Sequence, residues 1–94
     1  MYPWKDATSL TSHYQKHCVV QADVPGCASE GDYCNKANAV INDVTAAGSQ
    51  IKHLSGGRTA YYNALTNDLV IEQSGAIQTY FRPGAGQTYV NNLS

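Results

Sequence analysis

The sequence predicts an α+β domain, with N-terminal helices packed on a C-terminal antiparallel sheet of about four strands. Three observations carry that expectation. Apolar residues recur at helical spacing up to Gly48, and beyond it the period falls towards two. Glycine, proline and Asn-containing turn signals then divide the second half into short segments. Finally, 94 residues without repeats or low-complexity stretches make one domain, residues 1–94. Its helical part covers about 7–48 and its sheet part about 51–91.

Each element has its own warrant. Ala7 to Val20 is the first predicted helix, with Ser9, Thr11 or Ser12 as its cap and Leu10, Tyr14 and His17 at helical spacing. Val24-Pro25-Gly26 breaks it. The second helix starts after Ser29, with Glu30 and Asp32 placed to favour its positive end. Tyr33, Ala37, Val40, Ile41 and Val44 form its apolar stripe, and it stops near Gly48. Ile51 to Leu54 reads as a short strand or a connector, and Gly56-Gly57 as a turn. Strands follow at Arg58 to Asn63, Asp68 to Gln73 and Ala76 to Arg82, with Ser74-Gly75 as a hairpin turn. After the loop Pro83 to Gly86, Gln87 to Val90 reads as a last short strand.

Composition narrows the function. Apolar residues at 43% and charged residues at 14% argue for a folded globule and against disorder. No apolar run approaches the roughly 18 residues that span a bilayer. The polar start, Met1 to Asp6, has no signal-peptide character, so the chain reads as an excised domain. The formal charge is −1, and the only basic side chains besides histidine are Lys5, Lys16, Lys36, Lys52, Arg58 and Arg82. Broad electrostatic capture of nucleic acid is therefore disfavoured, and a compact site on a few phosphates is left. Cys18, Cys27 and Cys34 are odd in number, so at least one thiol is unpaired in a monomer. All three pairings remain open, and any of them would contribute about 2–3 kcal/mol by closing a short loop.

The chemistry-bearing residues are few. His13 and His17 share one face of a helix and suit an acid–base pair or two metal ligands. Tyr14 stands where a zinc-protease motif would need its carboxylate. Arg58 follows a glycine pair and could meet a phosphate bidentately. Strand alternation puts Thr79 on one face with Ile77 and Phe81, and Gln78 with Tyr80 on the other. Seven tyrosines offer base-stacking surface, although most will be packing residues with a wet hydroxyl. Tyr80, Tyr62 and Lys52 are the candidate substrate-binding residues.

Three segments together resemble a known family. They are HYQKH (His13 to His17), DYCNKANAV (Asp32 to Val40) and GRTAYYNALTNDLVIEQSGAIQTYFRPGAGQTYV (Gly57 to Val90). This pattern resembles the C-terminal toxin domains of bacterial contact-dependent growth inhibition and related polymorphic toxin systems, of the barnase–colicin D–RelE-like ribonuclease superfamily. The resemblance spans His13 to Tyr89, and TYFRP with its downstream Gly86 to Tyr89 is its most specific part.

The resemblance implies a metal-independent ribonuclease, often acting on tRNA, that needs no cofactor and is neutralised by a cognate immunity protein. It implies delivery by secretion or from a cell surface as part of a larger effector, and action in the target-cell cytoplasm. The low charge points to shape, a few phosphates or a host activating factor as the source of RNA affinity. Lys16, His17 and Thr79 match family positions, Arg58 matches more weakly, and Cys18 stands where the family more often has glycine. The implied mechanism uses His17 as base on a ribose 2′-hydroxyl. Arg58, Lys16 and Thr79 stabilise the phosphorane, and His13 or a tyrosine hydroxyl protonates the leaving oxygen. The product is a 2′,3′-cyclic phosphate. Two alternatives stand beside it: a non-catalytic protein-binding module with a tyrosine-rich sheet, and a zinc-dependent hydrolase using His13, His17 and a cysteine.

Overall fold

The structure, a computed structural model, describes residues 1–94. Helix α1 (Ala7–Tyr14) runs into a π-helical extension (Gln15–Val20) and is followed by α2 (Glu30–Asn42). Strands β1 (Ser49–His53), β2 (Arg58–Asn63), β3 (Asp68–Gln73) and β4 (Ala76–Phe81) follow, and a short helix α3 (Gln87–Asn91) ends the fold. The sheet is an antiparallel meander in the order β1-β2-β3-β4, so the expected α+β architecture is present. No helix is long and apolar enough to cross a membrane.

Local chemistry explains most boundaries. Ser29 caps α2 by accepting from the Asp32 N–H, as its position suggested. Asp6, rather than Ser9, Thr11 or Ser12, caps α1, through the Ser9 N–H. Helix α2 stops at Asn42, before Gly48, and Val44 consequently lies exposed outside the stripe. Ser74 and Gly75 both have positive φ (55° and 81°), as a two-residue hairpin turn requires.

The last predicted strand is a correction. Gln87 to Val90 is helical, with the Tyr89 and Val90 N–H groups donating to Gly86 O. Thr88, Tyr89 and Val90 favour a strand locally, but they pair with no strand, and β4 forms the outer edge of the sheet. The N-terminal segment occupies part of that edge: Ile77 N–H donates to Pro3 O and Lys5 N–H donates to Ile77 O. Burial of Val90 then selects the helix.

Both sheet faces are covered. Helix α2 and the N-terminal segment bury Tyr33, Ala37, Ile41, Trp4 and Val24 against Val70, Ile77 and Tyr80. On the opposite face, Val90 packs with Leu54, Ala60, Tyr62, Leu69 and Ile71. Tyr33 and Tyr80 stack with ring centres 5.1 Å apart, and the Tyr33 hydroxyl donates to Tyr80 O.

Cys18 and Cys27 form a disulfide, and Cys34 is free. The bridge ties the π-helical extension to the loop that follows it, a separation of nine residues. Closing so short a loop stabilises by about 2–3 kcal/mol. The double variant Cys18→Ser/Cys27→Ser is therefore expected to melt about 10–20 °C lower. Calorimetry with and without reductant checks this: reductant should lower the wild-type midpoint to that of the variant and leave the variant unmoved.

Candidate active site

The site grows out of an irregular helix end. After Tyr14 the helix widens into π-type turns, a device often found at functional sites. It ends at Val20, and beyond the cap residue Gln21 comes Ala22, whose φ of 51° is costly for a residue with a Cβ, roughly 1 kcal/mol or more. That turn folds the chain back on itself, and the Val24 N–H donates to His17 O. Asp23 is thereby carried beside the ring of His17.

The His17 Nδ1 lies 2.9 Å from Asp23 Oδ1. A carboxylate can only accept, so Nδ1 carries the hydrogen and Nε2 is the nitrogen left to exchange a proton. The second Asp23 oxygen accepts from the Arg82 N–H at 2.9 Å, which docks the loop on the end of β4. His17 is 5% exposed and stacks on Phe81, ring centres 5.4 Å apart. Packing, the hydrogen bond to Asp23 and the Cys18–Cys27 bridge all restrain one imidazole.

His13 lies one turn earlier on the same face, its ring centre 6.1 Å from that of His17. Its Nδ1 donates to Ser9 O at 2.8 Å, which also leaves Nε2 free. Burial holds its pKa below the ordinary 6.5. The bond to Ser9 opposes that shift, while positive neighbours at His17, Lys5 and Lys16 add to it.

These two histidines, with Ser12, Lys16, Thr79, Phe81 and Tyr89, line a cleft of about 430 Å³. Helix α1 and its extension form one wall, β4 the second and α3 the third. Thr79 reaches it from β4, on the same face as Phe81, and just before it the strand carries a bulge. Ile71 pairs with Thr79 but Glu72 pairs with Ile77, so Gln78 is the extra residue. The bulge corrects the expected alternation. Ile77 joins Tyr80 under the helices, and Thr79 shares the other face with Phe81.

Other predicted site residues lie elsewhere. Arg58 is not in the cleft: it begins β2, two strands from β4, at the end opposite Phe81. Its guanidinium donates to Ser55 O and to Ser94 O near the end of the chain. Tyr80 is buried, and its hydroxyl donates to Asp68 Oδ1. Tyr62 is buried too and donates to Asn67 Oδ1. Lys52 donates to Val90 O and Asn91 O at the C-terminal end of α3. None of these four side chains lines the cleft that holds the histidines. Lys16 alone supplies a fixed positive charge.

The zinc alternative loses Cys18 and Cys27 as ligands, because they are joined to each other, and Cys34 is the one free thiol. No group of three His, Cys, Asp or Glu side chains is assembled to hold an ion.

Asp23 is the residue that sequence reasoning missed. It lies in a segment read only as a helix break, and its one linear signal is its place between two cysteines able to close a loop. Phe81 and Tyr89 were legible as parts of a motif but carried no assigned role. No protein-family model and no curated protein matches this chain.

Proposed function

We propose that this domain is an antibacterial toxin ribonuclease that cleaves RNA, with tRNA as its substrate class, without a metal ion. One observation carries the reading. Two imidazoles with ring centres 6.1 Å apart share a cleft, and each has its Nδ1 engaged, so each presents Nε2. Such a pair suits a reaction that needs a proton removed on one side of a phosphorus and delivered on the other.

The environments divide the work differently from the roles that the resemblance implied. His13, held neutral by burial and by neighbouring cations, takes the proton from the 2′-hydroxyl. The 2′-oxygen then attacks phosphorus, and charge builds on the equatorial oxygens, where Lys16 and the Thr79 hydroxyl stabilise it. His17, in its imidazolium form beside the Asp23 carboxylate, gives its Nε2 proton to the departing 5′-oxygen. A 2′,3′-cyclic phosphate and a 5′-hydroxyl result, and water returns the proton from His13 to His17. Delivery as part of a larger effector, action in a target-cell cytoplasm and neutralisation by an immunity protein follow from the resemblance.

Incubation with total tRNA in EDTA tests the reading. Cleavage is expected to persist, and DNA of matching sequence is expected to stay intact. Activity abolished by EDTA would favour a metal hydrolase, and a folded domain that cuts no RNA would favour a binding module.

The His13 environment also gives a pH prediction. A lowered pKa keeps the base neutral at more acidic pH, so the acid limb of kcat/KM should lie below 6.5. Lys5→Gln removes a nearby positive charge, eases protonation of His13 and should move that limb upward. A limb above 6.5, or one that moves downward, would contradict the assignment of His13 as base.

A further inference from the structure

We infer that Tyr89 forms a nucleobase subsite of this cleft, and that the substrate is therefore an unpaired nucleotide in a single-stranded or looped segment. The inference rests on the ribonuclease reading and deepens it. Tyr89 is 39% exposed and lines the same cleft as His13 and His17. Its ring meets Phe81 edge-on, 5.4 Å between centres and 87° between planes, while Phe81 stacks on His17. The Phe81 contact leaves Tyr89 partly open on the cleft that holds the two histidines.

The fold fixes that ring in place. Val90, the next residue, is buried in the core of this face. Lys52 holds the Val90 and Asn91 carbonyls, and Gln50 and Gln87 exchange amide hydrogen bonds. The loop leading to α3 is held as well: Tyr62 donates to Asn67 Oδ1, and Asn67 Nδ2 donates to Pro83 O. Lys52 and Tyr62, expected from sequence to bind substrate, thus position the helix that carries Tyr89.

Electrostatics favour the same conclusion. The cleft has one lysine, and the chain carries net charge −1, so phosphate contacts supply little affinity. Stacking on an aromatic ring supplies affinity that salt hardly screens. A base inside a duplex has both faces covered by neighbours, so only an unpaired or extruded base can use the ring.

The test is binding of a fluorescein-labelled 2′-O-methyl RNA of mixed sequence, uncleavable by 2′-hydroxyl attack, alone or annealed to its complement. Wild type should bind the single strand at least about tenfold more tightly than the duplex. Tyr89→Ala should weaken single-strand binding about ten- to hundredfold, and Tyr89→Phe should preserve it, with unfolding midpoints showing all variants folded. The salt dependence should match about one phosphate contact, a log–log slope near −0.7. Unchanged binding by Tyr89→Ala, or equal affinity for duplex, would overturn the subsite. Cleavage of unmodified tRNA, run in parallel, separates the two ideas. Cleavage with unchanged Tyr89→Ala binding sinks the subsite alone. Tyr89-dependent binding without cleavage supports the subsite and sinks the ribonuclease.

Discussion

Replacing His17 by glutamine is expected to lower the rate of RNA cleavage by about a thousandfold or more. Glutamine keeps polar bulk next to Phe81 but cannot deliver a proton to the leaving oxygen. The fold should survive, because Asp23 still holds the Arg82 N–H and the Cys18–Cys27 bridge still closes the loop. Circular dichroism and the melting midpoint would show this. A companion variant isolates the His17–Asp23 hydrogen bond. Asp23→Asn removes the charge beside Nδ1 and permits the wrong tautomer, and an effect of about a hundredfold or more is expected. If the two residues act as a unit, the double variant should be little worse than His17→Gln alone. Additive losses would mean that Asp23 acts elsewhere.

The largest expected loss of stability lies away from the cleft, at Asp68. Its side chain is 12% exposed and accepts from Arg82 Nε at 3.0 Å, Tyr80 Oη at 2.9 Å and Thr66 Oγ1 at 2.6 Å. Burial alone would raise its pKa, but the hydrogen bonds from Arg82, Thr66 and Tyr80, with the charge of Arg82, outweigh it and hold the carboxyl below 3.8. Asp68→Ala leaves a half-buried guanidinium and a buried phenol without their acceptor, and should cost about 3–5 kcal/mol. For a domain of this size that is a large share of a total of about 5–15 kcal/mol. Urea unfolding would measure it.

The pH dependence of Asp68 has a definite sign. A depressed folded pKa contributes stability that is present above 3.8 and lost as pH falls through the folded value. Wild type should therefore lose stability more steeply than Asp68→Asn at acidic pH. A difference in unfolding free energy under 1 kcal/mol between wild type and Asp68→Ala would contradict the network's role.

Local rules made much of the fold legible. Ser29 with Asp32, the stripe from Tyr33 to Ile41, and Ser74-Gly75 all specify their structure through neighbours within a turn or two. What escaped depends on longer range or on geometry without a residue code. A π-helical turn uses the same residues as an α-helical one, so Gln15–Val20 read as ordinary helix. The bulge at Gln78 has no glycine to announce it, and it reverses the face of Ile77. Helix α3 looks like a strand until Val90 is seen to be buried.

The candidate site divides the same way. His13, Lys16 and His17 come together because one helix face suffices, and Thr79 reaches them through β4. Arg58 fails to join because it begins β2, at the end of the sheet opposite Phe81. Tyr80 was lost to the cleft by stacking on Tyr33 and bonding to Asp68, contacts that alternation cannot foresee.

The chemistry of the new RNA ends distinguishes 2′-hydroxyl attack from every other route of cleavage. Wild-type protein and His17→Gln would each be incubated with tRNA in EDTA, and the fragments analysed by mass spectrometry. Wild type is expected to give 2′,3′-cyclic phosphate and 5′-hydroxyl ends, and the variant almost none. Fragments ending in 3′-hydroxyl and 5′-phosphate, or cyclic ends formed equally by His17→Gln, would contradict the proposed mechanism.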